Sequence, residues 1–282
     1  MKITKINVVT FISLSIFWLA APQVFAGELT DRIASGTSIR IGFANEAPFG
    51  FPGDNNQPLG FVNAFAIGVL HEMGYENVEP VVTDWGGLIP GLQAGRFDLV
   101  TGGLAILGTR CQSVAFSEPM MKVSDAFIVQ PGNPKGLANY RDIASKGAMM
   151  VAASGYNTIE AAKKEGVPDS QIMQVPGPTE MLAAVEAGRA DAGASTYLIL
   201  RDMAKKSGAK VEVTDPNALP DWTQNWVGIA FRQSDNDFVE KFNAAQKRYL
   251  GTPAMMKAVA PFGYDEKVLP GDTTTAWACA NR

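Results

Sequence analysis

Two short stretches, Ala94-Gly-Arg-Phe-Asp-Leu99 and Ala187-Gly-Arg-Ala-Asp-Ala192, share their first three residues and their aspartate. Each follows a segment with helical apolar spacing and leads into a short apolar segment typical of a strand. Glycine often ends a helix because it adopts the left-handed conformation without steric cost. Because the two stretches hold the same place in two similar successions of elements, we predict an internal repeat and two similar lobes. A chance match over six residues is the alternative.

The segments around these two stretches alternate between strand-like and helix-like patterns. Short β-rich apolar runs predict strands, and apolar residues three or four positions apart predict helices. Such alternation is typical of an α/β fold. Around the first stretch we predict strands at 39–44, 78–82 and 97–100 and helices at 61–74 and 88–94. Around the second we predict strands at 148–153 and 172–175 and helices at 158–165 and 180–187.

Two further apolar runs predict how the lobes are connected. Residues 126–129 form a strand that runs into a Pro-Gly-Asn-Pro turn, and residues 226–231 form another strand. We therefore expect lobe 1 to comprise 27–129 and 226–282, and lobe 2 to comprise 130–225. The two crossing strands would form a hinge, with a cleft where the carboxyl ends of the strands of both lobes face each other.

The first 26 residues have the pattern of a cleaved signal peptide. Lys2 and Lys5 give a basic start, residues 8–21 form an apolar run, and Val24-Phe-Ala26 offers a cleavage site. A retained membrane anchor is the alternative, but the apolar run is short for a span of about 20 residues. We therefore expect a soluble, exported protein located in the periplasm.

The composition argues against several kinds of partner. Of 282 residues, 46% are hydrophobic and 18% are charged, and the net charge is −4. Such a chain folds around a core, and its acidic balance makes a nucleic acid an unexpected partner. His71 is the single histidine, which leaves little room for a multi-histidine metal site. We expect neither a metal nor another cofactor.

The two cysteines, Cys111 and Cys279, are expected to form one disulfide. An even pair in an exported chain is most simply explained as a disulfide, because the compartment is oxidising. Two separate buried thiols are the alternative. The bond would attach the C-terminal stretch to the first lobe. That stretch follows a predicted helix at 238–250 and is expected to be irregular.

Several stretches resemble one family of transport proteins. They are 39–49, Asp98-Leu-Val-Thr-Gly-Gly-Leu-Ala-Ile-Leu-Gly-Thr-Arg110, Val114-Ala-Phe-Ser-Glu-Pro119, 148–158 and 188–197. Together they resemble the polar amino-acid solute-binding family, family 3, over essentially the whole mature chain. The resemblance implies a two-lobed periplasmic binding protein fold of type II with the ligand in the cleft. It also implies a monomer, not an enzyme, that delivers a small zwitterionic ligand to an ABC-transporter permease in the inner membrane.

Within that family, the ligand site is most similar to the ectoine/hydroxyectoine-binding branch. The guanidinium of Arg110, after a glycine-rich loop, can hold a carboxylate bidentately, with help from the backbone N–H groups of Gly103 and Ala105. In lobe 2, Asn157 and Thr158 begin a helix whose N-terminus favours an anion. A plain helix cap is the alternative for these two residues.

The positive group of the ligand would lie near Glu46, Phe49 and Trp85. Aromatic faces attract a delocalised cation, and a carboxylate adds charge-assisted hydrogen bonds. The alternatives are that Trp85 belongs to the core and that Phe51 or Phe61 is the stacking ring.

Two positions depart from the pattern of related binding proteins. Amino-acid binders of the family usually place an acidic residue where Thr196 stands, and the ectoine branch carries a third aromatic where Ala105 stands. The first departure favours a cation other than a compact ammonium, and the second leaves a two-sided aromatic cage. The alternative functions are a binder of a polar amino acid or a derivative, a periplasmic dehydratase of cyclic carboxylates with Glu46 as general acid, and a sensor that serves a receptor.

Overall fold

The computed structural model describes residues 28–282, so the predicted signal peptide at 1–26 lies outside the described residues. Within 28–282, no helix is long and apolar enough to cross a membrane. The strands are β1 Ile39–Phe43, β2 Phe51–Pro52, β3 Pro58–Leu59, β4 Val78–Val82, β5 Leu99–Val100, β6 Ala115–Phe116, β7 Met121–Val123, β8 Asp125–Val129, β9 Met150–Ala153, β10 Ile172–Val175, β11 Ala192–Thr196, β12 Glu212–Val213, β13 Asn225–Val227 and β14 Ala230–Phe231. The helices are α1 Glu28–Ala34, α2 Phe61–Glu72, α3 Leu88–Gln93, α4 Gly108–Cys111, α5 Tyr140–Ser145, α6 Asn157–Lys164, α7 Pro178–Glu186, α8 Tyr197–Lys206, α9 Asn236–Tyr249, α10 Pro253–Val259 and α11 Thr275–Asn281.

Two five-stranded sheets organise the chain. Their strand orders are β4-β1-β5-β14-β6 and β10-β9-β11-β8-β12. In each sheet the first three strands are parallel, and the fourth strand runs antiparallel to both of its neighbours. Every residue of β8 and β9 is buried, as expected for strands covered on both faces by other elements. The two sheets therefore have one topology, which confirms the predicted repeat.

The repeated hexapeptides form the same glycine turn and the same aspartate hydrogen bond in both lobes. Gly95 and Gly188 have φ angles of 69° and 68°, a region that glycine enters without strain. The carboxylate of Asp98 accepts the N–H of Arg40 at 2.9 Å, and that of Asp191 accepts the N–H of Met149 at 2.8 Å. Each aspartate thus ties the turn after a helix to the second strand in the order of its own sheet, β1 in one lobe and the residue before β9 in the other.

The crossing between the lobes lies earlier than the sequence predicted. We expected 125–129 to stay with lobe 1, whereas β8 is hydrogen-bonded in the second sheet, between β11 and β12. The crossing ribbon is instead β7 paired antiparallel with β13. The sequence misled because Ser124 alone separates β7 from β8 in 120–129, and that run contains no glycine or proline. Nothing in that run marks where the chain changes sheets.

The single strand predicted at 226–231 is two strands in different sheets. β13 belongs to the crossing ribbon and β14 to the first sheet. Gly228 lies between them, where an added Cβ would come within 3.1 Å of the Ser117 carbonyl oxygen and of the Ile106 side chain. The close approach of these neighbours requires glycine at the point where the strand is divided.

The C-terminal stretch contains regular helices rather than the irregular structure that we predicted. Helices α10 and α11 follow α9. Cys279 on α11 is bonded to Cys111 on α4, with Cα atoms 5.9 Å apart, a spacing within the usual range for a disulfide. The predicted disulfide is confirmed.

Candidate ligand-binding site

A small cavity lies between the lobes, at the carboxyl ends of strands from both sheets and beside the crossing ribbon. Its volume is about 20 Å³, roughly the space of one water molecule. The lobes are therefore closed on each other here, and a ligand needs them to separate in order to enter. The lining residues are Phe49, Trp85, Gly102, Gly103, Ala105, Tyr156, Asn157, Ser195, Thr196, Ile199, Asn225 and Val227.

Six of the nine residues predicted for the ligand site line this cavity. They are Phe49, Trp85, Gly103, Ala105, Asn157 and Thr196. The other three, Glu46, Arg110 and Thr158, are buried beside the cavity without lining it. The assignment of all nine as ligand contacts stays a prediction, and the hydrogen bonds that these three form here are described next.

Aromatic side chains form much of the cavity wall. Phe49 is held by Phe61, with ring centroids 4.6 Å apart, and it packs on Gly103. Gly103 has a φ of 90°, and a Cβ there would come within 2.4 Å of the Phe49 ring. Trp85 meets Tyr156 edge to face at 5.1 Å. Phe51 and Phe61, the alternative stacking rings, do not line the cavity.

Glu46 joins the two lobes through Tyr156. The Tyr156 hydroxyl donates to the Glu46 carboxyl, and both side chains are buried. Burial raises the pKa of Glu46 to about 8, although the hydrogen bond from Tyr156 opposes that shift. Burial, together with the charge of Glu46, raises the pKa of Tyr156 well above its usual value. Sequence analysis missed Tyr156, although it stands next to the predicted Asn157.

Arg110 also joins the lobes, through backbone carbonyls. Its guanidinium donates to Ala105 O at 3.0 Å and to Gly155 O, across the cleft, at 2.9 Å. The same Gly155 oxygen accepts the Trp85 indole N–H at 3.3 Å. Burial lowers the pKa of Arg110 to about 10, partly offset by the charge of Glu160. The group is thus a buried cation at neutral pH.

Thr158 is held away from the cavity, whereas its neighbour Asn157 lines it. The Thr158 hydroxyl donates to Ala194 O at 3.3 Å. The Asn157 amide nitrogen lies 3.3 Å from the carboxylate of Asp125. Neither side chain caps α6, because the N-cap residue is Tyr156 and it makes no side-chain cap bond.

Besides the predicted Thr196, the second-lobe wall contains polar groups that sequence analysis did not find. Ser195, Thr196 and Asn225 line the cavity, and Asp125 lies fully buried behind them. Within residues 28–282, the Thr196 hydroxyl oxygen has no hydrogen-bond partner although it is buried. Their position in the sequence could have indicated them, because Asp125 and Asn225 each stand directly before an apolar strand that was predicted to cross between the lobes.

Comparisons with known proteins agree with this architecture. The family model of bacterial extracellular solute-binding proteins, family 3, matches residues 39–260. A probable amino-acid ABC transporter periplasmic-binding protein of Sinorhizobium fredii is 33% identical over 265 residues, covering 91% of this chain and 88% of that protein.

Two solved structures are similar to this one. The crystal structure of EhuB in complex with hydroxyectoine has a TM-score of 0.82 at 30% identity and covers 90% of this chain and 98% of EhuB. The ancestral amino-acid-binding protein AncCDT-1, described as a precursor of cyclohexadienyl dehydratase, has a TM-score of 0.73 at 27% identity and covers 84% and 100%.

The fold, the matched range and these relatives lead to one assignment. Two α/β lobes of one topology, joined by a crossing ribbon, confirm the predicted two-lobed type II periplasmic binding protein fold. The family model spans most of the described residues. The chain belongs to the bacterial extracellular solute-binding proteins, family 3.

Proposed function

We propose that this protein is the periplasmic substrate-binding component of an ABC importer and that it captures a small zwitterionic compatible solute, ectoine or 5-hydroxyectoine, by closure of its lobes. The proposal includes export through a cleaved signal peptide at 1–26, a monomeric state and an inner-membrane permease as partner. One observation carries it: a buried guanidinium and a buried carboxyl group flank an aromatic-lined cavity between the lobes.

The guanidinium of Arg110 provides the site for the carboxylate of the ligand. In the closed protein its hydrogen bonds go to two backbone carbonyls rather than to a carboxylate. A buried cation gains most from an anion that accepts two parallel hydrogen bonds, because both charges are removed from water. A carboxylate that enters the cleft can take the place of Gly155 O beside Arg110.

The aromatic rings and Glu46 provide the site for the cation. Phe49 and Trp85 line the cavity, and Tyr156 adds a ring from the second lobe. Each such face attracts a delocalised cation by about 0.5–2 kcal/mol. Tyr156 thus supplies a third ring. This supports the proposal because Ala105 stands at the position where a third aromatic was expected. Thr196, a neutral residue, offers no charge for a compact ammonium.

A polar amino acid or a derivative is the second candidate. The S. fredii relative is described as an amino-acid transporter component, and the unpartnered hydroxyl of Thr196 could accept a hydrogen bond from an ammonium group. A dehydratase is a remote third candidate, with Glu46 as general acid. Incubation of the protein with a prephenate-like cyclic carboxylate distinguishes that candidate, because an enzyme would turn the compound over.

Ectoine and 5-hydroxyectoine are expected to stabilise and compact the purified protein. At a hundredfold excess over Kd, binding to the native state adds about 2.7 kcal/mol, which raises Tm by about 5–10 °C. Because the closed cavity is so small, the ligand must enter an open form and then close it. Thermal-shift assays and small-angle scattering measure both effects, and the radius of gyration should fall on binding.

Glutamine and arginine serve as the comparison ligands in these assays. If either amino acid stabilises the protein while ectoine and 5-hydroxyectoine do not, the proposed ligand class is wrong and the proposed transport role stands. A constant radius of gyration at saturating ligand would contradict capture by lobe closure.

Binding of a cationic group beside Glu46 is expected to release a proton at pH 7. The pKa of Glu46 is raised from 4.5 to about 8 in the closed, unliganded protein, chiefly by burial, so most closed molecules carry the proton at pH 7. A nearby cation favours the ionised carboxylate. The affinity for such a ligand should therefore rise between pH 6 and pH 8. Calorimetry at pH 7 in two buffers with different ionisation enthalpies should give nearly one proton released per ligand.

The variant Glu46→Gln is expected to abolish this proton release and to weaken binding of the cation. Asp235→Asn is the matched control, because burial also raises the pKa of Asp235. Asp235 pairs with Arg232, whereas Glu46 bonds to Tyr156, which lines the cavity. Stability provides a second measurement. Since the pKa of Glu46 is higher in the folded than in the unfolded chain, its contribution to stability falls as the pH rises from about 4.5 to about 8. Undiminished proton release by Glu46→Gln would assign the proton to another group.

A further inference from the structure

Asp125 is a buried carboxylate behind the second-lobe wall of the cavity. It is the first residue of β8 and is 0% exposed. Both of its oxygens lie 3.3 Å from the amide nitrogen of Asn157, and one lies 3.1 Å from the amide nitrogen of Asn225. The hydroxyl of Tyr140 donates to it from the other side at 3.4 Å. Two residues that line the cavity are therefore held by one carboxylate that does not.

The carboxylate determines which way the two amides face. An ionised carboxylate only accepts hydrogen bonds, so each asparagine must turn its NH₂ group toward Asp125. The amide nitrogen of Asn225 also donates to Thr223 O at 2.8 Å, which uses its second hydrogen. The group that Asn225 has left for the cavity is its carbonyl oxygen. A reversed amide would place a carbonyl oxygen against a buried negative charge.

Thr196 extends the same wall. It pairs directly with Asp125 across the antiparallel strands β8 and β11, so the two side chains lie on one face of the sheet. Its buried hydroxyl oxygen has no hydrogen-bond partner within the described part of the chain. The wall thus combines amide oxygens with a hydroxyl oxygen that is free to accept.

We propose that Asp125 is a positioning residue that makes the second-lobe wall a hydrogen-bond acceptor surface, and that the cleft thereby favours ligands that present an N–H or O–H group to Asn157, Asn225 and Thr196. The inference rests on the proposed function in that the ligand occupies this cleft. It predicts a preference for 5-hydroxyectoine over ectoine, because the two differ by one hydroxyl donor.

Asp125 holds the amides in this way when it is ionised. Burial raises its pKa to about 7, while the hydrogen bonds from Asn157 and Tyr140 oppose that shift. Measurements at pH 8 therefore examine the ionised form. A buried carboxylate of this kind carries a desolvation cost, so replacing it with a neutral residue of the same shape should leave the protein folded.

The first arm of the test uses the ligand-free protein. Side-chain amide signals of Asn157 and Asn225 are followed by nuclear magnetic resonance, with the exposed Asn55 as internal reference. In the wild type, the NH₂ protons of both should exchange with solvent at least tenfold more slowly than those of Asn55. In Asp125→Asn, at least one should lose that protection. Equal exchange at all three positions in the wild type would overturn the inference whatever the ligand is.

The second arm measures Kd for 5-hydroxyectoine and ectoine at pH 8. The wild type should bind 5-hydroxyectoine about tenfold more tightly, the usual effect of one buried hydrogen bond. Asp125→Asn should reduce the ratio to about twofold or less, because an asparagine at 125 forces one neighbouring amide to reverse. The double variant Asp125→Asn/Asn157→Asp moves the carboxylate into the wall and should restore the preference. Tyr140→Phe, which removes a hydrogen bond to Asp125 without touching the asparagines, is the matched control. Because that hydrogen bond lowers the pKa of Asp125, this variant and the wild type are also compared at pH 9, where the variant should keep the wild-type ratio.

The outcomes separate the inference from the proposed function. If the wild type binds neither compound, the proposed ligand is wrong and the amide arm alone decides the role of Asp125. If the wild type binds both compounds but Asp125→Asn keeps the wild-type ratio, the ligand stands and the role of Asp125 is wrong. Failure of the double variant to restore the preference, while Asp125→Asn has lost it, would assign Asp125 a merely structural role and overturn the inference.

Discussion

Removal of the Cys111–Cys279 disulfide is expected to lower the free energy of unfolding by about 5 kcal/mol on the chain-entropy model. The bond closes a loop between residues 168 positions apart, and the cost of closing a loop in the unfolded chain grows with its length. For a chain of this size, such a loss corresponds to a Tm lower by about 10–20 °C.

The contacts of Arg282, directly after α11, indicate that the loss of stability arises mainly in the unfolded chain. Gly108 donates its N–H to the Arg282 carbonyl oxygen at 2.8 Å, and the Arg282 guanidinium donates to Trp222 O at 2.7 Å. The guanidinium also lies over the Trp226 ring, 4.8 Å from its centroid. These contacts can keep the C-terminal helix in place without the covalent bond, so we expect the reduced protein to fold and to melt at a lower temperature.

Three variants and one titration examine this expectation. Cys111→Ser, Cys279→Ser and the double variant should show the same loss, because each removes the same single bond. Thiol titration of the denatured, unreduced wild type should find no free thiol. Two reactive thiols in the exported protein, or an unchanged Tm after reduction, would contradict the expected stabilisation.

The parts of the fold that depend on local sequence patterns were predictable from the sequence. The hexapeptides at 94–99 and 187–192 revealed the repeat because each lobe needs a left-handed glycine and an aspartate at the same turn. The position of the crossing was not predictable, because Ser124 alone separates β7 from β8 and no turn residue marks the change of sheet. Which sheet a strand joins depends on pairing with β13 or β11, residues distant in sequence.

The site was predictable where residues follow the carboxyl ends of strands, because such ends meet at one edge of each sheet. Phe49, Trp85 and Gly103 follow such ends, although Phe49 and Trp85 were assigned through the family resemblance and Gly103 through its place near Arg110. The contact between Glu46 and Tyr156 was not, because it joins residues 110 positions apart that meet only when the lobes close. Asp125 was missed for a similar reason, since its partners come from three other elements.

Arg110→Ala is expected to weaken ligand binding more than any other substitution in the cleft. Arg110 is the residue to which we assign the ligand carboxylate, and the variant leaves that carboxylate buried and unpaired. Breaking such a pair costs about 2–5 kcal/mol, which is about 30-fold to several thousand-fold in Kd. Arg110→Lys keeps a charge but loses the planar fork, so its Kd should lie between those of the wild type and the alanine variant.

The stability of the unliganded protein should respond differently. In the closed structure the Arg110 guanidinium is buried with carbonyl oxygens as acceptors, so its removal relieves a desolvation cost while losing two hydrogen bonds. We therefore expect the Tm of unliganded Arg110→Ala to stay within a few degrees of the wild-type value, and the rise in Tm on adding ligand to disappear. This contrast distinguishes a lost ligand contact from a damaged fold.

Arg282→Ala is the matched control for the role of Arg110. Arg282 also donates from its guanidinium to a backbone carbonyl, but that of Trp222, whereas Arg110 donates to that of Ala105, which lines the interlobe cavity. Calorimetry with ectoine and 5-hydroxyectoine should give Arg282→Ala a Kd within about threefold of the wild-type value, because the carboxylate contact is intact. If Arg110→Ala also binds within threefold of the wild type, Arg110 does not hold the carboxylate. The anion would then have to be held by backbone N–H groups, either those at the start of α6 or those of Gly103 and Ala105, which are the other predicted anion donors in the cleft.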